Sequence, residues 1–340
     1  MKGALLVNLG SPNSTSVKDV KNYLDEFLMD KRVIDTPYLV RAFVVKGIIL
    51  NTRPKKSAEA YKKIWWKEGS PLIVLSERLH KKVQENLDIP VELSMRYGNP
   101  SIESGIKKLI KKDVTEILLI PLYPQFAMAT TETIIVLAEK IIKKKYPQIK
   151  LTTVPAFYNN EDYIQVLGES IQKQLEILKP EHLLFSYHGV PERHIKKSDI
   201  TKSHCKIDGS CCNTPSKSHE FCYRHQCYET TKLVAKQLNL KEGTYSTSFQ
   251  SRLGRDPWLQ PYTDLTIDNF AKDGVKNLVV VTPAFVSDCL ETLEEIGMEA
   301  KHSFIENGGK KFNTVPCLND DGTWAKTLSE WINNWSKKTN

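Results

Sequence analysis

Short apolar runs recur along the chain and alternate with segments in which apolar residues return every three or four positions. The runs are ALLVNLG (4–10), VELSMRY (91–97), EILLIPL (116–122), LLFSYHG (183–189), TYSTSF (244–249) and NLVVVTP (277–283). Runs of this length, bounded by turn residues, predict buried strands of parallel sheets. The intervening segments 16–28, 72–87, 101–112, 130–145, 161–178, 226–239 and 288–300 carry the helical period. Strand and helix in alternation predict an α/β protein with right-handed crossovers and helices on both faces of parallel sheets. Ligands of open α/β sheets bind beyond the carboxyl ends of the strands, so the residues that follow each strand are the ones to read.

Two segments share a plan. EILLIPLYPQFAMATTETI (116–134) and NLVVVTPAFVSDCLETLEEI (277–296) each run from an apolar strand through a proline and an aromatic residue to a helix carrying Glu-Thr. The repeat predicts two similar halves, 1–150 and 151–340, facing one cleft and tightly packed, since no flexible linker marks the boundary.

Composition narrows the class. A length of 340 residues suits about two domains, and 40% hydrophobic with 26% charged residues is the make-up of a globular chain. MKGALLVNLG runs directly into a strand pattern, and no run approaches a membrane span, so a cytoplasmic protein with reduced thiols is expected. The net charge of +8 comes largely from lysine runs such as KKLIKKD, which read as solvated helix faces; an acidic partner or anionic lipid surface is the lesser reading, and nucleic acid is not expected.

Two constellations carry chemistry. In SDCLETLEEIGMEA, Asp288, Glu291, Glu295 and Glu299 fall at i, i+3, i+7 and i+11. At about 100° per residue they occupy roughly an 80° stripe, opposite Leu290, Leu293 and Ile296. The stripe would run about 16 Å along the axis. On its own such a row is as readily the wet face of a helix, but here the helix opens at a strand end, where carboxylates make a track for cations or protons. The second constellation is LLFSYHGVPERH, in which His188 ends a strand before the sharp turn at Gly189 and Pro191. A lone histidine there is more often structural, yet a neutral imidazole can take a proton or bind a metal. Base and acids together suggest the exchange of protons for a cation.

With these residues in view, the chain resembles the ferrochelatases, which insert ferrous iron into a porphyrin. The resemblance spans nearly the whole sequence: LLVNLGSP, FLMDKRVID, GSPL (69–72), MRYGNP, YPQF, FSYHGVPERH, SFQSRLGRDPWLQPYT and FVSDCLETLEEI occur in the family's order. It implies two Rossmann-like, chelatase-type halves around a porphyrin cleft. It implies His188 and Glu291 as the active-site pair and iron ligands, His188 also as the base for the pyrrole protons, and Asp288, Glu295 and Glu299 as the continuing acidic path. The porphyrin slot is implied at Leu9, Tyr123, Trp258 and Phe285, with polar contacts from Arg96, Arg53 and Ser70. Protoporphyrin IX and Fe²⁺ are the expected substrates; coproporphyrin III is the runner-up, cobalt insertion ranks lower, and a non-enzymatic iron–sulfur or haem-binding protein is the rival from another class. The segment 33–56, apolar with basic ends, corresponds to a lip over the porphyrin that can touch the inner membrane from its surface; a core helix is the plainer alternative. Cys289 stands where animal members carry histidine, and no long C-terminal extension argues for dimers of the animal kind.

One stretch remains, SHCKIDGSCCNTPSKSHEFCYRHQC (203–227), holding five of the seven cysteines beside three histidines. Reducing surroundings disfavour disulfides, and zinc modules usually show paired C-x-x-C knuckles, which are missing. The family resemblance implies an insert carrying a [2Fe–2S] cluster on Cys205, Cys211, Cys212 and Cys222, with zinc or no metal as alternatives. Cys227 sits where Gram-negative members carry a cysteine without any insert. Cys211 and Cys212 are neighbours whose side chains should diverge, so Cys227 or a histidine could replace one of them.

Overall fold

The computed structural model describes residues 1–252, 254 and 256–338; Leu253 and Arg255 of the SFQSRLGRDPW motif lie outside the described residues. The chain forms two units. The first takes Met1–Leu122, Met128–Pro155 and the stretch from Asn319 onward, the second Tyr123–Ala127 and Ala156–Leu318.

The first unit contains β1 (Lys2–Asn8), β2 (Val91–Met95), β3 (Glu116–Pro121) and β4 (Lys150–Thr153), all parallel, in the order β2-β1-β3-β4. Helices cover both faces of this sheet, so β1 is apolar at nearly every position and Ala4, Leu5, Leu6 and Val7 are wholly buried. Its end is fixed by close backbone approach. Gly10 has φ +110°, and a Cβ there would stand 1.8 Å from the Tyr97 carbonyl oxygen.

The second unit contains β5 (His182–His188), β6 (Tyr245–Gln250), β7 (Asn277–Val281) and β8 (Lys311–Thr314), parallel in the order β6-β5-β7-β8. The same relative order in both sheets is the structural form of the sequence repeat. The likeness extends past the third strand of each. Met128–Glu132 after β3 and Glu291–Ala300 after β7 are both wound as π-helix, with i→i+5 hydrogen bonds.

Three expectations are amended. Strands β4 and β8 were not apparent in the sequence, because KLTT and KFNT are only four residues long and three of the four are polar, leaving little apolar surface to bury. The chain is not divided by one cut at residue 150. The helix Gly322–Lys337 packs against Pro71–Glu85 in the first unit, where Lys82 meets the Asp320 carboxylate at 2.6 Å and the Ser329 hydroxyl faces the Val83 carbonyl at 3.5 Å. Segment 33–56 divides between a packed face and an outward one, which amends the plainer expectation of a core helix. Val45, Ile49 and Leu50 pack with Leu28 in a core, while Tyr38, Leu39 (80% exposed), Val40, Phe43 and Ile48 face outward. Among the described residues no helix is long and apolar enough to cross a membrane.

Candidate active site and cysteine insert

The second unit brings the expected base and acids to one end of its sheet. His188 is the last residue of β5, half-buried, and its Nδ1 lies 2.7 Å from the Gly189 carbonyl oxygen. A carbonyl only accepts, so Nδ1 carries the hydrogen and the Nε2 lone pair is the ring's accepting position. The turn after His188 needs glycine for lack of space: a Cβ at Gly189 would meet the Gln250 carbonyl at 2.9 Å and the Trp258 ring at 3.3 Å. Phe285 sits edge-to-face with the His188 imidazole, centroids 6.2 Å apart, so aromatic groups border this strand end. The Tyr223 hydroxyl donates to the His188 carbonyl at 2.8 Å. Tyr123 is buried in the same unit.

The acids differ from expectation in one respect. Asp288 precedes the helix, where the Thr292 hydroxyl donates to its carboxylate at 2.8 Å. Glu291, Glu295 and Glu299 follow at four-residue intervals on the π-wound stretch, whose wider turn brings every fourth residue back to nearly the same face. Their exposure grows along the row: Glu291 and Glu295 are half-buried and Glu299 is exposed. Burial, then the neighbouring Glu291 carboxylate, pushes Glu295 up to about 7, although the Ser251 hydroxyl donates to it. Burial and the Glu291 charge likewise raise the Cys289 thiol, and burial with Asp288 raises Cys317, so both stay protonated.

Histidine strand and acidic helix are joined by a residue that the sequence did not single out. The Gln250 carbonyl accepts from the Gly189 N–H at 2.6 Å, its side-chain Nε2 donates to the Glu291 carbonyl at 3.4 Å, and its Oε1 accepts from Ser186 at 2.7 Å. Ser186 and Ser248 both meet the Thr263 hydroxyl, completing a buried network. Gln250→Leu removes the side-chain bonds to the Glu291 carbonyl and to Ser186, while the Gly189 N–H and the Ser186–Thr263 contact are kept, at a cost of about 1–3 kcal/mol. We expect a lower urea midpoint, because the Glu291 carbonyl loses the side-chain donor that ties it to the end of β6.

Four expected porphyrin contacts lie in the first unit. Leu9 follows β1, half-buried, its carbonyl accepting from the Tyr97 N–H at 2.8 Å. Ser70 is buried at the start of the helix Pro71–Glu85, and Arg53 is exposed ahead of the helix Pro54–Ile64. Arg96 is engaged by its own unit: its guanidinium pairs with Asp30 and donates to the Thr133 hydroxyl at 2.7 Å. Tyr97 and Thr133 also donate to Asp30, whose carboxyl is held below the usual range against the opposing effect of burial.

The insert draws its cysteines together. All are free thiols, and Cys211, Cys212 and Cys222 are buried. Donation from the Cys222 thiol, helped by Arg224, pulls Cys212 down to about 6, while its partner Cys222 is pushed up. Burial lifts Cys205 to about 11, with Cys211 and Cys212 among the groups acting on it. The Lys206 N–H donates to the Cys211 sulfur at 3.2 Å, and the Arg224 guanidinium lies 3.5 Å from that sulfur. Cys227 is fully buried beneath them on the helix Tyr223–Gln237. Among the described residues, no group of three or more His, Cys, Asp or Glu side chains forms a site for a single metal ion. His204, His219 and His225 stand beside the thiols, and burial with the two neighbouring rings holds His219 below the usual imidazole range.

The family model described as Ferrochelatase matches residues 1–335. The ferrochelatase of Pseudomonas fluorescens (strain Pf0-1) is 49% identical over 96% of this chain and 95% of its own, and that of Opitutus terrae 45% identical over 98% and 97%. Among solved structures, SirB from Bacillus subtilis with Fe³⁺ superposes with a TM-score of 0.53 at 12% identity, covering 99% of this chain and 96% of that one, a likeness of fold.

Proposed function

This chain belongs to the ferrochelatase family, the metal-inserting porphyrin lyases, and on that premise we propose that His188 and Glu291 carry the insertion. Two pyrrole N–H bonds break, two protons leave, and the ring nitrogens take Fe²⁺ in their place. The observation that supports His188 as base is its Nδ1 contact with the Gly189 carbonyl, which presents the Nε2 lone pair to a proton. Glu291 and His188 form a mixed carboxylate and imidazole set that suits ferrous iron yet stays open enough to release it. Asp288, Glu295 and Glu299 are proposed to extend the cation and proton path, Glu295 by gaining and losing a proton near neutrality and Glu299 by facing water.

Tyr123, Trp258 and Phe285 are proposed as apolar contacts of the macrocycle. For Leu9, Ser70 and Arg53 the proposal rests on the family motifs that carry them. Arg96 is proposed to hold Asp30 and Thr133 rather than a propionate, since its guanidinium is already engaged. Protoporphyrin IX is the proposed porphyrin. The test is anaerobic turnover of Fe²⁺ with protoporphyrin IX and with coproporphyrin III, followed by loss of porphyrin fluorescence. Faster consumption of coproporphyrin III would overturn this choice. The outward apolar face of Tyr38, Leu39, Val40, Phe43 and Ile48 is proposed to rest on the membrane surface.

Glu295 gives a signed expectation. The unfolded chain releases this proton near 4.3, whereas the folded protein keeps it until about 7. Its contribution is therefore fully present below the unfolded value and is lost as pH rises through the folded one. Between pH 5 and pH 8 the native protein should lose on the order of 2–3 kcal/mol relative to Glu295→Gln. Urea unfolding of both proteins at the two pH values measures it.

For the insert, the donor set fits a [2Fe–2S] cluster: four free thiols close enough to perturb one another, with a backbone N–H and a guanidinium aimed at sulfur. Cys205, Cys211, Cys212 and Cys222 would hold it. Such a cluster supplies one-electron chemistry, which metal insertion does not require. The residues around it order the insert: Arg224 donates to the Lys206 and Ile207 carbonyls, the latter at 2.6 Å, and Asp199 accepts from the Cys205 N–H at 2.8 Å.

A further inference from the structure

Beside the thiols, three lone-pair atoms meet in a nearly equilateral triangle. His204 Nε2 and His219 Nε2 are 3.3 Å apart, and the Cys211 carbonyl oxygen lies 3.1 Å from the first and 3.3 Å from the second. No placement of hydrogens makes all three contacts hydrogen bonds. If both Nε2 atoms carry hydrogen, each can donate to one of the two lone pairs of the Cys211 carbonyl, but two donors then stand 3.3 Å apart with no acceptor between them. If only one does, the other nitrogen turns its lone pair on the carbonyl oxygen. If neither does, three lone pairs face one another.

A cation resolves this. Ligands about 2.0–2.1 Å from a tetrahedral centre stand roughly 3.3–3.4 Å from one another, which is the spacing seen here. Two imidazoles and a carbonyl suit the borderline first-row ions, and a fourth position left open makes the ion exchangeable. The rings are held for the purpose. His225 stacks on His219 with centroids 3.5 Å apart and planes at 12°, and its own Nδ1 is anchored 2.9 Å from the Cys212 carbonyl. His204 and His219 are half-buried, so an ion can come and go.

We propose that His204, His219 and the Cys211 carbonyl form a labile site for a divalent first-row transition-metal ion, distinct from the thiol set and from the His188–Glu291 pair. Cys211 then belongs to two sites, its carbonyl to this one and its sulfur to the cysteine group, so the ion steadies the loop that carries the thiols.

The test uses Zn²⁺ as probe on the purified full-length protein, in a His188→Ala background that removes the imidazole of the proposed insertion site. One equivalent should bind with zinc-edge X-ray absorption showing imidazole nitrogen and oxygen at about 2.0–2.1 Å and no sulfur at about 2.3 Å. His204→Gln should weaken that equivalent at least tenfold. His219→Cys should keep the ion at native stoichiometry and bring a single sulfur into its shell beside the remaining imidazole, with the melting temperature unchanged. In an otherwise native chain, His204→Gln should leave porphyrin metallation unchanged. Zinc held by sulfur in the parent protein, affinity unaltered by His204→Gln, or no sulfur appearing with His219→Cys would each overturn the assignment.

Discussion

His188→Ala should lower the rate of iron insertion by about 10²–10⁴-fold, the range that a positioned general base contributes. Porphyrin should still bind, because the side chains proposed to hold it are untouched. In an anaerobic assay the native protein quenches porphyrin fluorescence as metal enters, whereas the variant should retain a bound, fluorescent, metal-free ring. Added imidazole should restore part of the rate, since the truncation leaves space where the ring stood. A variant that metallates at native speed would remove His188 from the chemistry and leave Glu291 or Glu295 as the base.

Cys222→Ser should abolish the cluster proposed for the insert. As purified, the native protein should carry two irons and acid-labile sulfide, with visible sulfur-to-iron absorption and a reduced-state paramagnetic signal; the variant should carry none of these. Cys222 is buried, and a serine in its place can still donate to Cys212 but does not supply the thiolate that holds a cluster. A fall in melting temperature of about 5 °C or more is expected, taking 2–4 °C per kcal/mol for units of this size. Native protein isolated with zinc and no sulfide would sink the cluster, and the same iron and sulfide in the variant would remove Cys222 from its ligands.

The sequence revealed what hydrophobic burial dictates. Six of the eight strands were visible as runs of apolar and β-branched or aromatic residues, including the edge strands β2 and β6; β4 and β8 were not, because each is four residues long and carries a single apolar side chain. His188 and the acidic row could be placed at strand ends by the α/β rule alone. What escaped was polar and internal. Gln250, Ser186 and Thr263 form a buried network, but a glutamine or serine in a strand reads as exposed until its partner is known. The π-winding of Glu291–Ala300 and the position of Asp288 outside the helix were likewise hidden, because an α-period stripe and a π-wound row share the four-residue interval. In the insert, composition announced the thiols, but nothing in the spacing showed that His204 and His219 would meet over the Cys211 carbonyl.

The return of helix Gly322–Lys337 to the first unit has a consequence for synthesis. The ribosome delivers β1 to β4 early, yet the helix Pro71–Glu85 waits for its partner until the whole second unit has been made, roughly 12–50 s at about 5–20 residues per second. The first unit to emerge is therefore the last to be completed. Throughout that interval its apolar flank is a natural docking place for chaperones, and a nonsense mutation shortly before Gly322 would damage the half of the molecule farthest from it in sequence.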